Sequence, residues 1–178
     1  MTLVTHSDGT ILEQATIENF PIMKQSNNLI QVLNDLIEIN NARIEGYHRA
    51  ANELKSGDID LRALFRSMAN DSKYYATELK QVVTELSGAS SPDTINKGKV
   101  NQSWINVHPG FSRHDRQGIL DSCEYGEAKA QEAYQNALTG QTTLSENIRS
   151  LVASQQLSLK TAHDLIKTFK DAAHAMEV

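Results

Sequence analysis

The sequence predicts an all-α protein, a four-helix bundle with a long crossover between helices two and three. Three observations carry that prediction. Apolar residues recur at intervals of three and four through four long segments, the period of a helix that buries one stripe. Only 9 Gly and 3 Pro occur among the 178 residues, too few for turn-rich β structure. Between about residues 87 and 114 the period disappears, and Gly88, Ser90, Pro92, Gly98, Pro109 and Gly110 punctuate the chain, as in a connection rather than an element.

The spacing predicts the first helix over residues 27–54, with Leu29, Leu33, Leu36, Asn40, Ile44, Tyr47, Ala51 and Leu54 inward. Ser26 or Asn27 can cap it, since a short side-chain oxygen accepts from an otherwise orphaned helical N–H. Gly57 stands where a chain leaving a helix often needs a positive φ. Asp58 or Asp60 opens the second helix, to about residue 86, with Leu61, Leu64, Phe65, Met68, Ser72, Tyr75, Leu79 and Val82 inward. The joint is short, so helices one and two form an antiparallel hairpin. A crossover this long carries the chain from one bundle end to the other and sets helix three parallel to helix two. Trp104 and Ile105 lie in mid-crossover and are read as pinning it to the bundle side, with an exposed partner anchor as the other reading.

Helix three, capped by Ser112 or Asp115, runs to about residue 138, just before Gly140. Its inward residues are Ile119, Cys123, Gly126, Glu127, Ala130, Tyr134 and Ala137. Thr143 or Ser145 opens helix four, with Ile148, Leu151, Val152, Gln155, Leu159, Ala162, Ile166, Phe169 and Ala173 inward. The bundle thus occupies residues 26–178. Residues 1–25 read as an N-terminal extension, with a short helix over 11–20 that covers a bundle end or a neighbouring subunit.

Composition narrows the function classes. A net charge of −5 and a pI near 5.7 argue against a general nucleic-acid binder, which carries a basic face. No apolar run approaches the ~18–20 residues of a membrane span, and residues 1–25 lack the pattern of a signal peptide. A single cysteine, Cys123, precludes an intrachain disulfide and fits a reducing cytoplasm. Its place on an apolar stripe reads as a small core residue.

The two hairpins read as an internal repeat. Tyr47-His48-Arg49-Ala50 parallels Tyr134-Gln135-Asn136-Ala137, and seven residues before each tyrosine stand Asn40 and Glu127. In this register Ser72 corresponds to Leu159 and Tyr75 to Ala162.

These features resemble the ferritin-like superfamily, particularly its rubrerythrin-like branch, through the long second crossover and the Glu127…Tyr134 spacing. Asn34-Asp35-Leu36-Ile37-Glu38, Gly46-Tyr47-x-x-Ala50-Ala51, Ala63-Leu64-Phe65, Trp104-Ile105, Gly126-Glu127 and Ala162-His163-Asp164 look most like a bacterial ferritin-like family of unknown function. The resemblance spans roughly residues 28–170. It implies that catalytic members place one Glu on each of two helices and a Glu-x-x-His on each of the other two. Two divalent ions a few ångströms apart need several carboxylates to offset their mutual repulsion. Transferred onto this chain, those positions hold Asn40, Ser72, Tyr75, Glu127, Leu159 and Ala162. One ligand of six remains, so no metal cofactor is expected. Iron or manganese is the alternative, held by Glu127 with His163 or Glu124.

Other acidic and histidine spacings are weaker. Glu45-x-x-His48 points away from the stripe, and Asp171-x-x-His174 lies in the final turns. Asp121, Glu124 and Glu127 share one side of helix three and read as a solvated acidic face. His163 reads as a core histidine.

What remains inward is a polar seam of Asn40, Tyr47, Ser72, Tyr75, Glu127, Tyr134 and Gln155. A buried Glu127 has to be paired, hydrogen-bonded or protonated, and tyrosine hydroxyls from three helices are expected to reach it. Neutral hydrogen bonding alone predicts that Glu127→Gln costs only ~1–2 kcal/mol. No nucleophile beside a base and no glycine-rich phosphate loop is present, so no catalytic residue is assigned. Three classes stay open. The first is a non-enzymatic helical protein acting in stress physiology or through a partner, as a homodimer. The second is a metal-binding or redox protein with an altered site at Glu127, and the third a binder of a small polar ligand in the seam.

Overall fold

The computed structural model describes residues 10–87 and 115–176. They form four helices: α1 (Thr10–Glu53), α2 (Ile59–Ser87), α3 (Arg116–Thr139) and α4 (Glu146–Met176). No strand occurs among the described residues. α1 packs most extensively on α2 and α3 on α4, with α1 also against α3 and a slighter contact between α2 and α4.

Local chemistry sets the joints. Asp115 caps α3, its carboxylate accepting from the Gly118 N–H at 2.8 Å, rather than Ser112, which lies outside the described residues. α2 follows Asp58, whose carbonyl accepts from the Arg62 N–H at 3.1 Å, and α4 follows Ser145, whose carbonyl accepts from the Arg149 N–H at 2.8 Å. Gly140 ends α3 with its N–H on the Asn136 carbonyl. A Cβ there would lie 2.7 Å from that oxygen, so a side chain would push the turn apart. Gly57 differs from expectation: its φ lies outside the left-handed region, and a Cβ would meet nothing within 4 Å.

The hairpin repeat recurs in these joints. Arg62 donates to the carbonyls of Ala51 at 3.2 Å and Leu54 at 2.9 Å, and Arg149 donates to Leu138 at 3.0 Å. In the repeat register Arg62 corresponds to Arg149 and Ala51 to Leu138. Each arginine satisfies carbonyls that a helix end leaves without partners.

Ion pairs show the topology. Arg116 at the start of α3 binds Asp58 at 2.6 Å and Asp60 at 2.8 Å, at the start of α2. These two helices therefore start at the same bundle end and run parallel. Lys170 near the end of α4 meets Asp121 at 3.1 Å near the start of α3, which makes α3 and α4 antiparallel.

The core comes in two apolar clusters. One gathers Leu33, Leu36, Leu79, Tyr134, Val152 and Leu159; the other holds Tyr47, Leu61, Phe65, Ile119, Leu120 and Ile166. Each fully buried large side chain contributes about 1.5–3 kcal/mol through water it no longer orders. Asn40, Arg43, Ser72, Glu127 and Gln155 are buried; on α1, α2 and α3 they fall where one cluster gives way to the other, and on α4 Gln155 lies between Val152 and Leu159 of the first.

Three expectations change. α1 begins at Thr10 rather than near residue 27, so it runs through Ser26 and Asn27, which cap nothing, and the short helix over 11–20 is its first part. Its buried residues also include Ile37 and Ile39, outside the single expected stripe, because α1 faces both α2 and α3. Conversely Ile44, Leu64, Tyr75, Val82, Leu151, Ala162 and Phe169 are only half-buried. The crossover, with Trp104 and Ile105, lies outside the described residues.

Candidate functional site

The polar layer is organised around a residue that the stripe reading passes over. Arg43, on α1, is 1% exposed and reaches across to α3, where its Nε and Nη2 hold Glu127 Oε1 at 2.9 and 2.8 Å. Its Nη1 donates to Ser72 Oγ on α2 at 2.7 Å, and Ser72 in turn donates to the Met68 carbonyl at 2.8 Å. The Tyr47 hydroxyl donates to the same Glu127 oxygen. The guanidinium carbon stands 5.7 Å from the centre of the Tyr47 ring, and Phe65 backs that ring at 5.6 Å.

A second chain of bonds follows. Asn40 Nδ2 donates to the Leu36 carbonyl at 2.9 Å and to the Tyr134 hydroxyl at 2.7 Å. The Tyr134 hydroxyl donates in turn to Gln155 Oε1 at 2.7 Å. Gln155 Nε2 then donates to Glu78 at 3.0 Å and to the Tyr75 carbonyl at 3.4 Å. The two chains together tie all four helices at mid-height.

The repeat gives this layer its symmetry. Asn40 and Glu127 are equivalent positions, and each bonds the tyrosine of the other hairpin: Glu127 takes Tyr47, and Asn40 takes Tyr134. Arg43 breaks the symmetry, because its counterpart is Ala130.

Electrostatics hold the layer in one protonation state. Burial lowers the Arg43 pKa, but Glu127 and the two tyrosines raise it more, leaving it above the ordinary arginine value. Burial and the neighbouring Glu127 push the Tyr47 hydroxyl well above its usual value. Burial likewise raises Tyr134, and burial with Glu127 and Glu53 raises the Cys123 thiol. The thiol stays protonated near neutrality, and thiolate is the reactive form.

Of the residues singled out from sequence, Asn40, Tyr47, Ser72, Glu127, Tyr134 and Gln155 meet in this layer. Tyr75 joins only through its carbonyl, while its ring packs edge-on against Tyr74 at 6.2 Å. One tyrosine hydroxyl, not three, reaches Glu127. Glu124 turns to Lys170 at 2.5 Å, His163 is half-buried, and Glu45 and His48 are exposed. Arg43 lies three residues after Asn40 and four before Tyr47, a spacing that places it on the buried face. The stripe reading gives that slot to Ile44, because a long cation is normally solvated.

Two carboxyl and amide oxygens, Glu127 Oε2 and Asn40 Oδ1, are buried without a hydrogen-bond partner among the described residues. Among those residues, no group of three or more His, Cys, Asp or Glu side chains could hold a metal ion.

We predict that Tyr134→Phe costs about 1–3 kcal/mol in urea unfolding, because it strands Gln155 Oε1 and one Asn40 N–H in the core. A loss below about 0.5 kcal/mol would mean that those groups find other partners.

Comparison with solved structures places the fold. A mutant form of Dps1 from Mycobacterium smegmatis superposes with a TM-score of 0.71 at 13% identity, over 83% of this chain and 97% of that one. The likeness is one of fold, the ferritin-like four-helix bundle. No curated protein matches the chain. Residues 28–140, more than half of the chain, match the family described as a domain of unknown function, DUF2383. The chain belongs to that family.

Proposed function

We propose that this protein is a ferritin-like bundle that has lost the di-metal site and acts without enzymatic chemistry, through a protein partner or in stress physiology. One observation carries the reading: the single carboxylate among the six transferred ligand positions is already bound by a fixed cation, Arg43, at 2.8 Å. Two divalent ions need several carboxylates to offset their repulsion. Here the layer offers one carboxylate, two amides, a hydroxyl and two phenols, beside a guanidinium that would repel an arriving metal. That set does not fit a dinuclear centre. The layer instead fixes the register of four helices, a use attested for some buried polar groups. The Glu127…Tyr134 spacing supports a place in the rubrerythrin-like branch.

The test is elemental mass spectrometry of the purified protein after exposure to ferrous iron and to manganese. Far less than one ion per chain is expected. About two ions per chain would restore a metal-dependent reading and end this one.

A second reading draws on Glu127 Oε2 and Asn40 Oδ1. Two unpartnered buried acceptors favour a small polar ligand that donates hydrogen bonds, so a thermal-shift screen with small amines and alcohols is the companion measurement.

A further inference from the structure

The outer face of α4 carries an exposed stripe without charge. Ser154, Leu157, Thr161, Leu165, Thr168 and Ala172 recur along it at intervals of three and four, all exposed and none charged. Leu157 is 66% and Leu165 39% exposed. α2 has an exposed uncharged row too, Ala63, Ser67, Asn70, Tyr74, Thr77 and Gln81, but Tyr74 is its one large apolar side chain, whereas the α4 stripe holds two leucines. α4 thus carries two low-charge stripes, one in the core and one opposite it. The second has no cover among the described helices.

Charge along one edge of this stripe identifies what fits it. Lys160, Asp164, Lys167 and Asp171 follow one another at intervals of four, three and four, alternating in sign, and all are exposed. Lys160 and Asp164 already pair at 2.9 Å within the helix. A two-fold axis perpendicular to α4 brings this edge against its own copy with the direction reversed, so each cation meets an anion. With the axis between Asp164 and Lys167, Lys160 faces Asp171 of the second copy and Asp164 faces Lys167 of the second copy. The Leu165 side chains then meet near the axis. A parallel arrangement in register would set like charge on like, which is repulsive.

We propose that the outer face of α4 docks a second copy of this chain in antiparallel orientation, Leu157 and Leu165 giving the apolar contact and the alternating edge the orientation. The proposal extends the partner-directed reading above. Its readout is molecular mass rather than metal content, so either can fail alone. The stripe from Leu157 to Ala172 spans about 22 Å, a single helix pair rather than a broad obligate interface. The dimer is therefore concentration-dependent.

Sedimentation equilibrium of the full chain over a wide concentration range tests this. The wild-type mass should climb from 19.7 kDa toward twice that value, and a mass that stays at the monomer overturns the proposal. Leu157→Glu/Leu165→Glu should remain monomeric with unchanged helicity; an assembly that survives this change also overturns it. The charge edge gives a separate test that does not depend on the apolar variant. Asp164→Lys/Asp171→Lys and Lys160→Asp/Lys167→Asp should each self-associate about tenfold or more weakly. Mixed together, the two should recover dimers, and a mixture that stays monomeric rules out antiparallel docking.

Discussion

Arg43→Met is expected to destabilise the protein by about 3–5 kcal/mol, among the larger effects of any single change in this chain. Methionine fills much of the guanidinium's path, so the cost comes chiefly from charge. Glu127, fully buried, would lose its guanidinium partner and keep only the Tyr47 hydroxyl as a donor. The reverse change, Glu127→Gln, strands the guanidinium instead and should cost a similar amount. That exceeds the ~1–2 kcal/mol expected of a purely neutral seam, because Arg43 makes this an ion pair. The double variant Arg43→Met/Glu127→Gln removes both charges and keeps an acceptor for Tyr47. It should recover most of the stability, since replacing a buried pair as a unit is often near neutral. Urea unfolding followed by circular dichroism measures all three variants as a cycle. Single losses below about 1 kcal/mol would show that water or repacking compensates either lone charge.

Alkaline pH should unfold this protein steeply, and for a reason unconnected with its surface. Cys123, Tyr47 and Tyr134 are all held protonated by burial, against ordinary values of 9.0 for the thiol and 10.0 for the phenols. Their folded pKa values lie above the unfolded ones. The stability they provide is complete below about pH 9 and is lost as pH rises through the window between unfolded and folded values. Each group adds roughly 1.4 kcal/mol per pH unit there, so the three together give a limiting slope of roughly 4 kcal/mol per unit above pH 10. Urea midpoints from about pH 8 to 11 report the slope, and tyrosinate absorbance reports which phenols ionise. Tyr47 and Tyr134 should ionise only with unfolding. Cys123→Ala and Tyr134→Phe should each remove about one third of the slope. A slope unchanged in both variants would mean that these groups are not what drives alkaline unfolding.

The sequence by itself determined the four helices, the two hairpins and the parallel course of α2 and α3. Hydrophobic period is a local property, and Leu33, Phe65, Ile119 and Val152 each sit where their own segment's spacing places them. It also determined which ligand positions lack carboxylates, since Asn40, Ser72, Leu159 and Ala162 are read directly from the register of the repeat. Only the tertiary structure decided what the remaining polar groups meet. Arg43 finds Glu127 84 residues away, and Asn40 finds Tyr134 94 residues away. Such partners depend on how two hairpins pack, which no local period encodes. Periodicity marks the buried face of α1 but cannot say that a guanidinium on that face stays buried; only a facing carboxylate and hydroxyl make its desolvation tolerable. The continuity of α1 from Thr10 was likewise not legible, because Ser26 and Asn27, residue types favoured at helix caps, are also tolerated inside a helix.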